Sequence, residues 1–207
     1  MMPPRHAKAI THLMEVDPIL GRWIAQAGPC SFGRDRSGTH FSALVRSIVY
    51  QQLSGKAAGT IHARFEAFYG GRTPEPKELV KTSHEALRSV GLSNRKAEYL
   101  VGLSADVLKG TVPIDALDEM EDAEIVEALT QVRGIGEWTA HMFLMFRLGR
   151  PDVLPSLDFA IQVAVKKLYN LRSHPTPKRV AAIGAKWAPH RTVASWYLWR
   201  VVDNPPQ

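Results

Sequence analysis

The chain has 207 residues, 45% of them hydrophobic and 22% charged, enough for one large domain or two lobes with a real core. Its net charge of +6 favours a polyanionic partner, and its single cysteine, Cys30, excludes a disulfide framework or a cysteine-built zinc or iron–sulfur site within one chain. No apolar run reaches the roughly 20 residues of a membrane span, and the opening MMPPRHAKAITHLM lacks the long apolar core of a secretion signal, so a cytoplasmic protein with no membrane role is expected.

The elements read as helices from one end to the other. Asp17 ahead of Pro18 is a cap and a first helical residue, opening ILGRWIAQAG. Phe41, Leu44 and Ile48 share a helical face, which predicts a helix from Phe41 to about Leu53. Ser54 then caps a helix that stops at Gly70-Gly71. After the loop at 73–76, short helical pieces are predicted over 77–81 and 84–90. A longer helix starts at Ser93 with Ala97, Leu100, Val101 and Leu103 turned inward. Residues 110–113 break the chain, and an acidic helix spans about 121–131. A tight Gly-Ile-Gly turn leads into a helix from Glu137, and a loop rich in Pro and Gly runs on to Asp158. Further helices are predicted over 158–169, 176–187 and 190–202, and the closing DNPPQ is expected to fray. No stretch alternates convincingly with the period of a strand, so the fold class is all-α.

Charge is segregated along the chain. Residues 111–132 hold seven acids (Asp115, Asp118, Glu119, Glu121, Asp122, Glu124, Glu127) and no base. From Phe159 onward there are eight bases (Lys166, Lys167, Arg172, Lys178, Arg179, Lys186, Arg191, Arg200) and only Asp203 against them. This pattern suits two solvated faces of opposite sign equally as well as one face turned towards a polyanion. A weak internal echo links LRSVGLSNRKAEYL to LTQVRGIGEWTAHM. Both read as helix, Gly-containing turn, helix, which any αα-hairpin does, or else mark a second, degenerate copy of the first.

The Gly-Ile-Gly turn carries the first chemistry. Gly134 and Gly136 permit positive φ and close approach of another backbone or a phosphate. The amides that open the next helix lack intrahelical acceptors and sit at the positive end of its dipole, which makes a phosphate site. Thr139 is placed to add a hydroxyl, and Ile135 to plug the turn into the core.

The longer strings are more specific. VRGIGEWTA resembles the hairpin of the helix-hairpin-helix-GPD DNA glycosylase superfamily, and PSLDFAIQ resembles its Gly/Pro-rich loop and catalytic Asp. Together IVYQQLSGKAA, KAEYLVGLS, VRGIGEWTA, DVLPSLDFAIQ and RTVASWYLWR are similar to the 3-methyladenine DNA glycosylase II (AlkA-like) family, over nearly all the chain from Phe41.

That resemblance implies double-stranded DNA with damaged bases as partner and Asp158 as the catalytic carboxylate. An anion beside the anomeric carbon stabilises the oxocarbenium-like state of N-glycosidic cleavage, and the same group can orient or deprotonate the attacking water. On the residues alone, Asp158 reads equally as a helix-start acid complementing the dipole.

Trp138 stands where relatives that also cut the strand, such as endonuclease III, have a Schiff-base Lys. With no amine there, a monofunctional glycosylase is expected. The indole is read either as a core aromatic or as a stacking surface for a cationic alkylpurine. Met142, one turn on, falls where some relatives have Tyr, and Trp199 matches an aromatic of the family's pocket wall. The stretch Gln51, Gln52, Leu53 and Ser54 matches the wedge that fills the stack once a base is flipped, with Gln52 or Leu53 as the wedge. Ser54 and the amides near Lys56 suit a phosphate.

No cofactor is required by the resemblance. It does imply a monovalent cation (Na+ or K+) on the carbonyls of Thr130, Val132 and Ile135. Two helical lobes are expected, 41–147 and 1–40 joined with 148–207, with the extruded base in the cleft between them, and a monomer. Two other readings stay open: a non-catalytic helix-hairpin-helix DNA-binding module, and a glycosylase for a mismatched or oxidised base.

Overall fold

The computed structural model describes residues 6–33, 35 and 37–203, and every regular element among them is a helix. The fraying expected at the C-terminal end falls on residues 204–207, outside the described residues. The chain divides into two compact units, Arg36–Phe143 and Met1–Asp35 with Leu144–Gln207.

The first of these, the continuous unit, holds α3 (His40–Tyr50), α4 (Gly55–Phe68), α5 (Pro76–Leu79), α6 (His84–Ser89), α7 (Asn94–Leu108), α8 (Asp122–Thr130) and α9 (Glu137–Met142). Side-chain oxygens of Thr39, Ser54, Ser83 and Ser93 accept backbone amides at the starts of α3, α4, α6 and α7, which satisfies donors that would otherwise be orphaned. α7 is the spine: α3, α5 and α6 pack on it, α4 packs on α3, and α8 on α9. Ala97, Leu100, Leu103 and Ser104 form its buried stripe. Ser104 rather than Val101 completes that stripe, because its hydroxyl donates to the Leu100 carbonyl at 2.8 Å and can be buried without cost.

The predicted helix from Phe41 stops at Tyr50, three residues short of Leu53. Gln51 is extended and Gln52 takes a left-handed φ of 56°, so the chain reverses before Ser54 can cap the next helix.

In the other unit α1 (Ala7–Val16) and α2 (Pro18–Ala27) meet α10 (Phe159–Leu168), α11 (Pro177–Gly184), a 3-10 turn at Ala185–Trp187 and α12 (Arg191–Asp203). α12 packs on α10 and α2 and buries Val193, Ala194, Tyr197, Leu198 and Val201. Asp17 knots the unit together. Its Oδ1 accepts the Ile19 and Leu20 amides at 3.1 and 3.2 Å. Its Oδ2 accepts the Tyr169 hydroxyl, the Trp187 indole N–H at 2.8 Å, and the Lys186 ammonium at 3.1 Å. The carboxylate is fully buried. Burial alone would raise its pKa, but these donors together hold it below the ordinary value. Between the units the chain runs through a π-helix, Phe143–Leu148, a wider turn than the regular helix that its sequence suggests.

Candidate active site and the helical hairpin

The loop that ends at Asp158 is held by the first turn of α12. Arg191 grips Asp152 with Nε to Oδ1 at 2.7 Å and Nη2 to Oδ2 at 2.8 Å, and its amide adds a bond at 3.1 Å. That guanidinium is the largest cause of the lowered Asp152 pKa, against the opposing effect of burial. The Thr192 hydroxyl donates to the Arg150 carbonyl at 2.6 Å and accepts the Val153 amide at 3.0 Å, while Ser195 donates to the Val153 carbonyl at 3.2 Å. The Thr192 amide reaches the Pro151 carbonyl at 3.0 Å. A Pro-rich loop has few amides to pair with itself, and these side chains replace the missing ladder.

Asp158 is the N-cap of α10. Its Oδ1 accepts the Ile161 amide at 2.9 Å and the Trp199 indole N–H at 3.2 Å. Trp199 is half-buried and stacks on Phe146, ring centroids 5.9 Å apart at 22°, and Phe146 meets Phe32 at 5.3 Å. Of the three aromatics in WYLWR, Tyr197 is core, Trp196 lies under Arg200, and Trp199 alone is bonded to Asp158. Gln162, only 9% exposed, donates to the Ser156 carbonyl at 2.9 Å and is bonded through its own oxygen to His174 at 2.8 Å. Phe146, Gln162, His174 and the Arg191–Thr192 clamp were not singled out from the sequence. The hydrogen-bond partners of Gln162, His174 and the clamp lie 6 to 42 positions away in the chain, and the rings that Phe146 meets lie further still; no local motif marks such pairs.

The hairpin belongs to the other unit. Its turn uses Gly134 at φ 96°, but Gly136 is extended at φ −98° and caps α9. The expectation of positive φ therefore holds for Gly134 and not for Gly136. A Cβ on Gly134 would lie 2.3–2.7 Å from Tyr99 ring carbons, while one on Gly136 would meet nothing within 4 Å. The close approach that Gly134 permits is thus that of the Tyr99 ring, and the open side of the turn is at Gly136.

Ile135 is buried in the core. Thr139, expected to offer a hydroxyl, is only 6% exposed because it shares the inward side of α9 with Ala140. Trp138 is 45% exposed, and Met142 is half-buried at the end of the same helix.

Gln51 ties the neighbouring loop to the hairpin, its Nε2 donating to the Gly134 carbonyl at 2.9 Å. Gln52, Leu53, Ser54 and Lys56 are exposed beyond it. The carbonyls of Thr130, Val132 and Ile135 are neutral, hard oxygen donors of the kind a monovalent cation takes. The Val132 oxygen accepts the Ile135 amide at 3.0 Å and has a second lone pair.

Residues 45–190 match the family model of the HhH-GPD superfamily base excision DNA repair proteins. The chain belongs to that superfamily. The crystal structure of a DNA-3-methyladenine glycosidase from Bacillus halodurans superposes with a TM-score of 0.86 at 38% identity, covering 96% of this chain and 90% of that one. A Schizosaccharomyces pombe 3-methyladenine DNA glycosylase in complex with abasic DNA superposes with a TM-score of 0.83 at 32% identity, covering 97% of this chain and all of that one (100%). Against a Bacillus subtilis relative, 33% identical over 169 residues, the chain spans 59% of the other's length.

Proposed function

We propose that this HhH-GPD protein is a monofunctional DNA glycosylase of base excision repair that hydrolyses the N-glycosidic bond of alkylated purines. The observation that carries the reading is Asp158, fixed at the start of α10 by two donors on one carboxylate oxygen and delivered by a loop clamped to α12. Hydrolysis breaks the bond between the sugar and the purine, and the electron pair leaves with the base. A purine alkylated at N3 or N7 is cationic, departs neutral and needs no proton from the protein. Positive charge then gathers on the sugar, where the Asp158 carboxylate stabilises it, and water adds to the anomeric carbon and loses a proton. The Ile161 amide and the Trp199 N–H hold the carboxylate in one orientation, so little reorganisation is needed as the charge develops.

Trp138 offers an exposed electron-rich face to a cationic base, with Met142 on the same helix as a further pocket residue, and Trp199 holds Asp158 in the other unit. Residues 129–142 contain no lysine, so no Schiff base forms there and the product strand keeps an uncut abasic site. Gly136 on the open side of the hairpin turn, and Ser54 and Lys56 at the start of α4, bind the DNA backbone, with Gly134 and Thr139 shaping the hairpin from within. Gln51 braces the wedge loop from which Gln52 or Leu53 fills the gap left by the flipped base. A monovalent cation on the carbonyls of Thr130, Val132 and Ile135 would add positive charge facing a phosphate. The protein works as a monomer on duplex DNA.

Incubation with methylated DNA tests the reading. Free 3-methyladenine or 7-methylguanine is expected, without strand cleavage and without borohydride trapping. Binding with no base released from this substrate or from mismatched and oxidised duplexes would leave only a DNA-holding module, and a spontaneous nick would refute the monofunctional assignment.

A further inference from the structure

The residue that follows Asp158 is the most exposed large hydrophobic side chain of the described residues: Phe159 is 71% exposed, and Leu157 on the other flank is 47% exposed. Phe159 is the first residue of α10 and faces away from the core. Its ring is nevertheless held in place. One side stacks on the imidazole of His174, with centroids 5.2 Å apart and planes at 26°.

His174 is itself fixed. The Gln162 amide N–H donates to the Ser156 carbonyl, so its oxygen must accept, and His174 Nε2 must donate to it. Phe159, His174, Gln162 and Ser156 thus form one rigid mount with the turn that carries Asp158. An aromatic ring fixed on one side and bare on the other is a platform, not a remnant of the core.

The setting indicates what lies on it. No acid occurs between Asp158 and Asp203, and α10, its following loop and the start of α11 carry Lys166, Lys167, Arg172, Lys178 and Arg179. A polyanion with flat, apolar units fits this combination, and the shelf is continuous with the proposed catalytic carboxylate.

We propose that Phe159, backed by His174, is a DNA-contacting shelf: its bare face packs on one nucleoside unit of the bound strand, through base or sugar, and sets the strand in register with Asp158. This rests on the glycosylase reading of the site. The shelf adds an uncharged contact, so its signature differs from that of a lysine on a phosphate.

The test is fluorescence anisotropy of a duplex bearing a tetrahydrofuran abasic analogue, titrated with the full chain at several salt concentrations. Phe159→Ala is expected to raise Kd about tenfold, the usual scale for losing a base–aromatic contact, with an unchanged slope of log Kd against log salt. Phe159→Trp should stay within about twofold of wild type, whereas Lys166→Ala/Lys167→Ala should make the slope shallower. Phe159→Leu separates the two contacts: affinity near wild type indicates the sugar, and affinity as weak as Phe159→Ala indicates the base. Thermal melting of each variant should match wild type, since the ring is exposed.

Wild-type affinity in Phe159→Ala would overturn the proposal and leave the shelf to another partner. So would a weakening that appears only as a change of salt slope. Base release by wild type and by Asp158→Asn reports on the glycosylase reading separately, so either idea can fail alone.

Discussion

Asp158 receives both of its described donors on one oxygen, and one of them comes from an indole 41 positions further along the chain. Trp199→Phe keeps the ring on Phe146 and removes only the N–H. A hydrogen bond to a charged group is worth roughly 1.5–3 kcal/mol, and Trp199 is only half-buried, so the low end applies. Single-turnover base excision should therefore fall about tenfold while the melting temperature barely moves. An unchanged rate would mean that the indole N–H does not orient the carboxylate. At this scale the sequence was informative about Asp158 only through the motif around it, since a helix-start acid has a structural use as well. Trp199 was picked out by the resemblance and not by its own chemistry; the structure supplies the physical difference, with Tyr197 in the core and Trp196 under Arg200. Phe146 was invisible because the π-helix that presents it shifts the helical register.

Among the elements, the hairpin shows how two similar glycines differ in use. Gly134 combines a left-handed φ with the pressure of the Tyr99 ring, whereas Gly136 has neither. Gly134→Ala is expected to destabilise the protein by about 2–3 kcal/mol, and Gly136→Ala by well under 1 kcal/mol, measured by urea or thermal unfolding. Equal losses would contradict the assigned role of Tyr99. Helix starts were legible wherever a side chain caps them, as at Asp17, Ser54, Ser93 and Thr176, because capping is chemistry between near neighbours. The end of α3 was not legible. Gln51 leaves the helix to bond the Gly134 carbonyl 83 positions away, and periodicity carries no sign of such a long-range tie. The clamp of Arg191, Thr192 and Ser195 on the Asp158 loop was hidden for the same reason.

For the whole molecule, acid stability should report the buried Asp17 knot. Its folded pKa lies below the ordinary value of 3.8. It therefore contributes stability that is fully present above about pH 4 and lost as pH falls through the folded value. Asp17→Asn should cost roughly 3 kcal/mol at pH 7, and the gap to wild type should narrow below pH 4. A gap that stays constant down to pH 2 would show that Asp17 is not ionised in the folded state. The net charge of +6 and the acid-free run between Asp158 and Asp203 suit a polyanionic partner, yet charge alone does not separate an enzyme from a holder of DNA. The measurement that does so is single-turnover release of 7-methylguanine from a defined duplex by wild type and Asp158→Asn, with affinity for the same duplex measured alongside. The account predicts release by wild type from an intact strand, and a rate lower by roughly a hundredfold or more in Asp158→Asn, with Kd within about threefold. Equal rates in the two proteins, or no release by wild type, would contradict it.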